Sequence, residues 1–451
     1  MILVLALVVG IFGISTTYAA EPGAPEHSLR RVIQAYDIKP LPTKPFEETN
    51  KFKLGRAIFF DPIISGNRDI SCATCHLLRR GTSDGLPFSS GTGAKGLAES
   101  RSLPPNRQQQ PRNAPDLWNR DNNTVTSLFW DGRIEVKEQI RGSFGSPLGP
   151  DLPIGFDNLM AAQAIFPILR EDELLGLPTD RSPTNLPSPH ANLPNEIAAS
   201  SEKLSRSEKV RKVSQIVLQR LLGSSGATSR SWQVEYRNLF GAAYPTTAIE
   251  DFSIIHVANA LSHFQETAFA TRNAPWDKYL RGDFSAIGDQ AKRGALVFYG
   301  KGRCAICHSG PLFSDFKFHA IGVQNYGPGI LNGRDLGRYH ATNNPADKYK
   351  FRTPPLRNVT LTAPYFHNGS AETIDDAIEL HMAPLFYADK YKESGEFMMD
   401  LEQIEAISPI LVYSRINLTR QNYADLKTFL KTLEDRGLDN IQRIIPRTVP
   451  S

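Results

Sequence analysis

Cys72-Ala-Thr-Cys75-His76 and Cys304-Ala-Ile-Cys307-His308 contain all four cysteines of this chain. C-x-x-C-H is the attachment signature of c-type haem: each thiol adds across a vinyl group, and the adjoining histidine is set beneath the iron as proximal ligand. A bare C-x-x-C also serves as a dithiol redox pair or as half of a tetrahedral zinc site. Zinc sites usually keep their two pairs close in sequence, however, and a redox dithiol has no need of a histidine directly after its second cysteine. Repetition of the full motif favours two covalently bound haem c groups, with Cys72, Cys75, Cys304 and Cys307 as anchors and His76 and His308 as iron ligands.

Outward from the two motifs, the preceding segments repeat as well. Leu54-Gly55-Arg56-Ala57-Ile58-Phe59 and Arg293-Gly294-Ala295-Leu296-Val297-Phe298 each place a glycine four residues before a phenylalanine. On a helix both fall on one face, where a close helix crossing needs a small residue and a haem edge needs an apolar wall. The expected fold is therefore mainly α, with two cytochrome c-like haem domains and long loops: residues 21–282, carrying an insertion near 177–209, and residues 283–451. Leu426, Phe429, Leu430 and Leu433 form an amphipathic stripe that can close the second domain. A helix from Ile249 to about Ala270, with Phe252, Ile255, Ala258 and Leu261 inward, would close the first. Ser83 to Pro115, rich in Gly, Ser, Pro, Arg and Gln, reads as a loop able to pass over a haem face, and Leu177 to Asn195 as a surface insertion.

A length of 451 residues suits two domains with sizeable cores, and a net charge of +4 points neither to nucleic acid nor to an anionic membrane. Ile2 to Ile14 are almost wholly apolar, and Thr17-Tyr18-Ala19-Ala20 offers small residues for cleavage before Glu21-Pro22-Gly23. Residues 1–20 thus read as a signal peptide and the protein as exported to the periplasm, where c-type haem is attached. No other segment looks transmembrane.

The sixth iron ligands decide the chemistry, because a haem that meets peroxide or oxygen must keep one position open. Ser370 can cap a helix whose apolar stripe runs Ile374, Ala377, Ile378 and then His381, so His381 points where the core residues point. A histidine there is either a satisfied core residue or the second ligand of the C-terminal haem, and a nearby iron lacking that ligand favours the latter. Met382 lies about a hundred degrees round the helix and is the weaker candidate. His367 reads as a haem-propionate or backbone contact. Between His76 and His190 there is no histidine, and between Met1 and Met160 no methionine. The N-terminal haem is therefore expected to be five-coordinate and reactive.

The chain resembles the bacterial dihaem cytochrome c peroxidase and MauG family. The matching stretches are Leu54-Gly55-Arg56 through Phe59-Phe60-Asp61-Pro62, Ser65-Gly66 and Ile70-Ser71-Cys72; Arg112-Asn113-Ala114-Pro115; and Phe129-Trp130-Asp131-Gly132-Arg133. Phe351-Arg352-Thr353-Pro354, Leu356-Arg357-Asn358-Val359 and Leu361-Thr362-Ala363-Pro364-Tyr365-Phe366-His367 follow in the same order. The resemblance implies hydrogen peroxide reduction at the N-terminal haem with electrons passed through the C-terminal one. Trp130 then matches the relay tryptophan between the haems, and Asn113, Thr362 and Pro364 match the oxygen ligands of an interdomain calcium ion. Gln139 matches the distal-pocket glutamine. The catalytic glutamate is placed at Glu173, displaced by an insertion around Ser146 to Asp151, with Glu138 as second choice.

Two departures from the family stand out. The loop histidine that blocks the first haem in many of its peroxidases is absent, so reductive activation should be unnecessary. His381 stands where many peroxidases have methionine and MauG has tyrosine, which moves the expectation toward the MauG-like branch. The electron donor would be a small periplasmic cytochrome c or copper protein. In the rival reading the reductant is a Trp or Tyr of a protein substrate, and in a third the chain is a non-enzymatic electron carrier. A homodimer is common among relatives.

Overall fold

The computed structural model describes residues 24–137, 143–186, 189–224, 229–271, 273–330, 333–385, 401–413, 416–435 and 441–451. The expected signal peptide, Glu138 and Gln139 lie outside the described residues. The helices that matter here are α1 (Ala24–Ala35), α2 (Asn50–Phe60), α3 (Leu159–Ala164), α4 (Arg206–Leu222), α5 (Ser231–Ala243), α6 (Ile254–Ala268), α7 (Asp289–Tyr299), α8 (Ile374–Met382) and α9 (Arg420–Lys431). The fold is mainly α, as expected, and long irregular stretches join the helices.

One construction appears twice. Thr49 caps α2 by accepting from Phe52 N, and Asp61-Pro62 ends it. Along α2, Gly55 lies so close to α6 that an added Cβ would sit 2.0 Å from Ala260 O. One turn on, the Phe59 ring meets Phe264 at 5.0 Å between centroids. Along α7, a Cβ on Gly294 would sit 1.9 Å from Asp425 O of α9, and Phe298 meets Phe429 at 5.3 Å. Each glycine lets two backbones touch, and each phenylalanine closes the crossing with an aromatic contact.

Two hydrophobic cores follow. The first gathers Leu54, Phe59, Val213, Tyr236, Phe240 and Phe264 from α2, α4, α5 and α6. The second gathers Trp276, Phe298, Phe313, Leu426, Phe429 and Leu433. The chain ends cross between them: Leu29 of α1 is buried in the second core and Ile444 in the first. The helix expected from Ile249 begins at Ile254, because residues 249–251 form a separate 3-10 turn and Ser253 adopts the extended cap conformation. Phe252, Ala258 and Leu261 are buried as expected, whereas Ile255 is only half-buried. Leu433 lies beyond the last turn of α9 yet is fully buried.

Strands are few and short. β1 (Ser127–Leu128), β2 (Ile134–Val136) and β3 (Phe144–Gly145) form an antiparallel meander, with Leu128 opposite Ile134 and Glu135 opposite Gly145. The β1–β2 connection presents Phe129-Trp130-Asp131-Gly132-Arg133. β4 (Phe318–His319) pairs antiparallel with β5 (Phe351–Arg352), and Arg352 N donates to Trp130 O at 2.8 Å, tying the two sheets together. The buried Arg112 guanidinium is held at 2.7 Å by both Asp131 and Asp335, so a residue from each half of the chain neutralises it. No described helix is long and apolar enough to cross a membrane.

Candidate haem cavities and their distal groups

Two cavities flank the β1–β2 connection. The larger, about 1770 Å³ including its solvent-open mouth, has Cys304, Cys307 and His308 as well as Ile378, His381 and Met382 in its lining. His308 Nδ1 donates to Phe313 O at 2.9 Å and His381 Nδ1 to Ala377 O at 2.7 Å. These bonds select the tautomer in which each Nε2 carries the lone pair. The two rings stand 6.2 Å apart between centroids, inclined at 60°. An imidazole nitrogen binds a transition metal at ~2.0 Å and lies ~1.1 Å from its own ring centre, so two imidazoles on one iron put their centroids about 6 Å apart. The pair is therefore spaced as two imidazole ligands of one iron would be. Burial lowers the pKa of both rings, that of His308 to about 4, which keeps them neutral as ligation requires.

The helix bearing His381 is capped by Thr373, not Ser370. Thr373 Oγ1 accepts from Asp376 N and the Asp376 carboxylate accepts from Thr373 N, a reciprocal box that Ser370 stands too far back to make. His367 stacks on Phe351 at 3.6 Å, lines the same cavity, and accepts from Asn113 N at its carbonyl, 2.7 Å away.

The second cavity, about 1220 Å³ including its solvent-open mouth, is built on Cys72, Cys75 and His76. His76 Nδ1 donates to Thr82 O at 2.8 Å, again leaving Nε2 for iron, and burial lowers its pKa. Among the described residues lining this cavity, His76 is the one histidine. Phe59, Ile70, Phe129 and Leu261 give it apolar walls, and Gln110, Gln163 and Gln265, with Arg133, Arg170 and Glu173, give it a polar side. The Ser83–Pro115 loop contributes Ser89, Gly91 and Gln110 to Pro115.

Glu173 belongs to a single π-type turn, Glu171–Leu175, whose backbone is pinned where Glu173 O accepts from Thr92 N at 2.8 Å. Burial pushes its carboxyl up to about 7, Arg170 Nε at 3.1 Å works in the opposite direction, and Asp172 adds to the rise. Met160 and Gln163 come to this cavity from α3, one turn apart on the same face, and sequence reasoning missed both. The available signal was faint: a short run of small residues, Ala161-Ala162-Gln163-Ala164, with a single amide in it.

Trp130 and the Asn113-Ala114-Pro115 segment line both cavities, and Trp130 Nε1 donates to Asn113 O at 2.9 Å. Asn113, Thr362 and Pro364 share the larger cavity's wall. Asn113 Nδ2 donates to Leu86 O at 2.7 Å, turning Oδ1 the other way, and Thr362 Oγ1 donates to Val359 O at 3.0 Å. These neutral oxygens have the donor chemistry of a hard, partly hydrated cation.

The thiols of Cys72, Cys75 and Cys304 are pushed up to about 12 by burial, which is unlike the lowered thiol of a redox dithiol. Cys307, Asp315 and His319 bring ligand atoms within 4.8 Å of one another. A thioether at Cys307 would use its sulfur and leave the Asp315–His319 pair alone.

Residues 49–285 match the family model described as di-haem cytochrome c peroxidase. The chain is 29% identical to the cytochrome c peroxidase Ccp of Escherichia coli over 364 residues, covering 80% of this chain but 58% of that protein. It is 29% identical to the methylamine utilization protein MauG of Methylorubrum extorquens over 386 residues, covering 85% and 78% of the two chains. The cytochrome c551 peroxidase of Pseudomonas aeruginosa is 28% identical over 352 residues, covering 76% of each. Among solved structures, a MauG-like protein associated with microbial copper homeostasis superposes with a TM-score of 0.58 at 24% identity, covering 92% of this chain and 96% of that one. The diheme peroxidase BthA from Burkholderia thailandensis does so at 0.53 and 18%, covering 87% of each. Membership of a di-haem family implies two haem c groups, and each cavity is lined by the cysteines and histidine of one C-x-x-C-H motif. The chain belongs to the di-haem cytochrome c peroxidase family.

Proposed function

We propose that this protein is an exported, periplasmic peroxidase that reduces hydrogen peroxide to water in the His76 cavity, with electrons arriving through the His308–His381 cavity. The inequality of the two cavities carries the reading: one has an imidazole on each side, and the other has a single imidazole, with an acid, three guanidiniums and four amides among its lining. Haem c bound at His76 would supply a redox-active iron with a position open to peroxide. Glu173, titrating near neutral pH, takes the proton from one peroxide oxygen and returns it to the other, help of a kind worth about 10² to 10⁴ in rate. Arg133 and Arg170 balance the developing negative charge, and Gln163 offers an amide donor. Phe59, Ile70 and Phe129 keep bulk water out.

Trp130 serves as the relay, since it lines both cavities, and calcium held by Asn113, Thr362 and Pro364 would fix the angle between them. Residues 21–282 and 283–451 act in the main as the peroxidatic and electron-transfer domains, with α1 and Trp276 packing on the second core and Ile444 on the first. The donor is a small periplasmic cytochrome c or copper protein. A second reading, in which the oxidising equivalents are returned by a Trp or Tyr of a partner protein, gains support from His381: two imidazoles give a lower potential than histidine with methionine, which suits a centre that stabilises oxidised iron. The test is peroxide consumption by the haem-loaded protein with a pre-reduced cytochrome c. Steady oxidation of two cytochromes per peroxide supports the first reading. Turnover only with a partner protein that gains a covalent mass change replaces it with the second.

A further inference from the structure

Tyr236 takes no part in the peroxide chemistry of the His76 cavity, yet its placement is unusual. It is fully buried on α5, and its hydroxyl donates to Asp61 Oδ2 at 2.9 Å. Asp61 directly follows α2 and lies two residues beyond Phe59, which lines the cavity; two residues of chain reach at most ~7 Å. Asp61 also accepts from Ile63 N at 2.9 Å, from Ser451 N at 3.0 Å and from the Ser451 hydroxyl. Burial and the Asp61 charge hold the Tyr236 phenol well above its ordinary pKa, so it does not ionise by itself. Oxidation is different. A phenol that has lost an electron is a strong acid, so the electron leaves readily only where the proton can leave with it, and here a carboxylate stands in hydrogen-bond contact.

An outlet lies on the same helix. Trp232 is one turn before Tyr236, where i, i+4 side chains are neighbours. It is half-buried, its Nε1 donates to Arg220 O at 3.0 Å, and its ring lies 4.6 Å from that of His190 in the 177–195 insertion. Phe59 on the cavity wall, Asp61 two residues on, its partner Tyr236 and, one helical turn away, Trp232 thus form a series that runs from fully buried to half-buried rings.

We propose that Tyr236, with Asp61 as its proton acceptor, is an oxidisable site that drains an oxidising equivalent from the His76 cavity, and that Trp232 passes it to the surface beside His190. The proposal rests on the peroxidase reading, which supplies the oxidant. Haem c held at His76 would supply, with peroxide, a two-electron oxidant, and Tyr236 gives it one electron. Its O–H bond breaks, the proton moves to Asp61 Oδ2, and a neutral tyrosyl radical faces a protonated carboxyl. Trp232 then gives one electron to the tyrosyl radical, which takes its proton back from Asp61. A one-electron reductant in solution, such as ascorbate, refills Trp232. Such a drain protects an enzyme that meets peroxide before its donor arrives.

The test uses the haem-loaded full chain, mixed with one equivalent of peroxide without reductant and freeze-quenched for electron paramagnetic resonance. The expected result is an organic radical whose lines narrow when ring-deuterated tyrosine is incorporated. Tyr236→Phe loses that signal and prolongs the oxidised haem absorbance. Asp61→Asn, which keeps the side-chain shape, lowers the radical yield, and Trp232→Phe keeps the radical but slows its decay in ascorbate. An unchanged radical and unchanged haem decay in Tyr236→Phe would overturn the proposal while leaving the peroxidase reading intact. No haem absorbance change with peroxide in any of these proteins would sink both.

Discussion

Replacing Gly294 with alanine sets two effects of opposite sign against each other. Alanine in a helix interior is favoured over glycine by ~1 kcal/mol. Against this, the new Cβ would stand 1.9 Å from Asp425 O and 2.8 Å from Phe429 Cβ. Ordinary contact starts near 3.4 Å, so α7 and α9 must part by ~1.5 Å. The obstacle is backbone and cannot rotate away, and the buried Asp425 is anchored at 3.0 Å by Arg293. Overpacking of this kind costs ~1–3 kcal/mol, here at the upper end, so the net loss is about 2 kcal/mol. At ~2–4 °C per kcal/mol for a domain of this size, Tm falls by about 4–8 °C. Thermal unfolding of the haem-loaded variant by circular dichroism measures it. Gly55→Ala, 2.0 Å from Ala260 O, should behave alike, whereas Gly241→Ala on α5, with nothing within 4 Å, should raise Tm slightly. An unchanged or raised Tm in the first two would refute the close-crossing argument.

His381→Ala should convert the C-terminal haem to high spin while Met382→Leu leaves it low spin; an unchanged spectrum in the former removes His381 as a ligand. Because the Glu173 carboxyl is raised to about 7, its proton-accepting form is lost as pH falls through that value, so the rate of reaction with peroxide should drop there. Stopped-flow measurement on Glu173→Gln should show a flat profile and a loss of about 10² to 10⁴ in rate, and persistence of the wild-type profile would count against Glu173 as the acid–base group. Arg357→Met leaves the buried Asp277 carboxylate, itself 1% exposed, without its guanidinium, and should lower stability by about 3–5 kcal/mol; a denaturant midpoint within error of wild type would contradict this.

Much of the site was legible because haem attachment is written locally. Five consecutive residues carry two thiols and an imidazole, and the glycine–phenylalanine spacing before each motif anticipated both helix crossings. The stripe ending in His381 could be read because helix periodicity fixes direction within one element. What stayed hidden depends on pieces meeting from far apart. Met160 and Gln163 reach the His76 cavity only because α3 packs on α6, and their short helix has too few turns for periodicity to mark a face. Tyr236 finds Asp61 across 175 residues of sequence. Thr373 displaced Ser370 as a cap because the reciprocal pairing with Asp376 depends on local geometry rather than residue type alone.

Resting-state electron paramagnetic resonance of the haem-loaded protein tests the central asymmetry most directly. The expected spectrum has one high-spin ferric signal, assigned to the His76 haem by its loss on adding a strong-field ligand such as cyanide, beside one low-spin bis-imidazole signal that persists. Two low-spin signals, neither altered by cyanide or peroxide, would contradict it and make the protein an electron carrier.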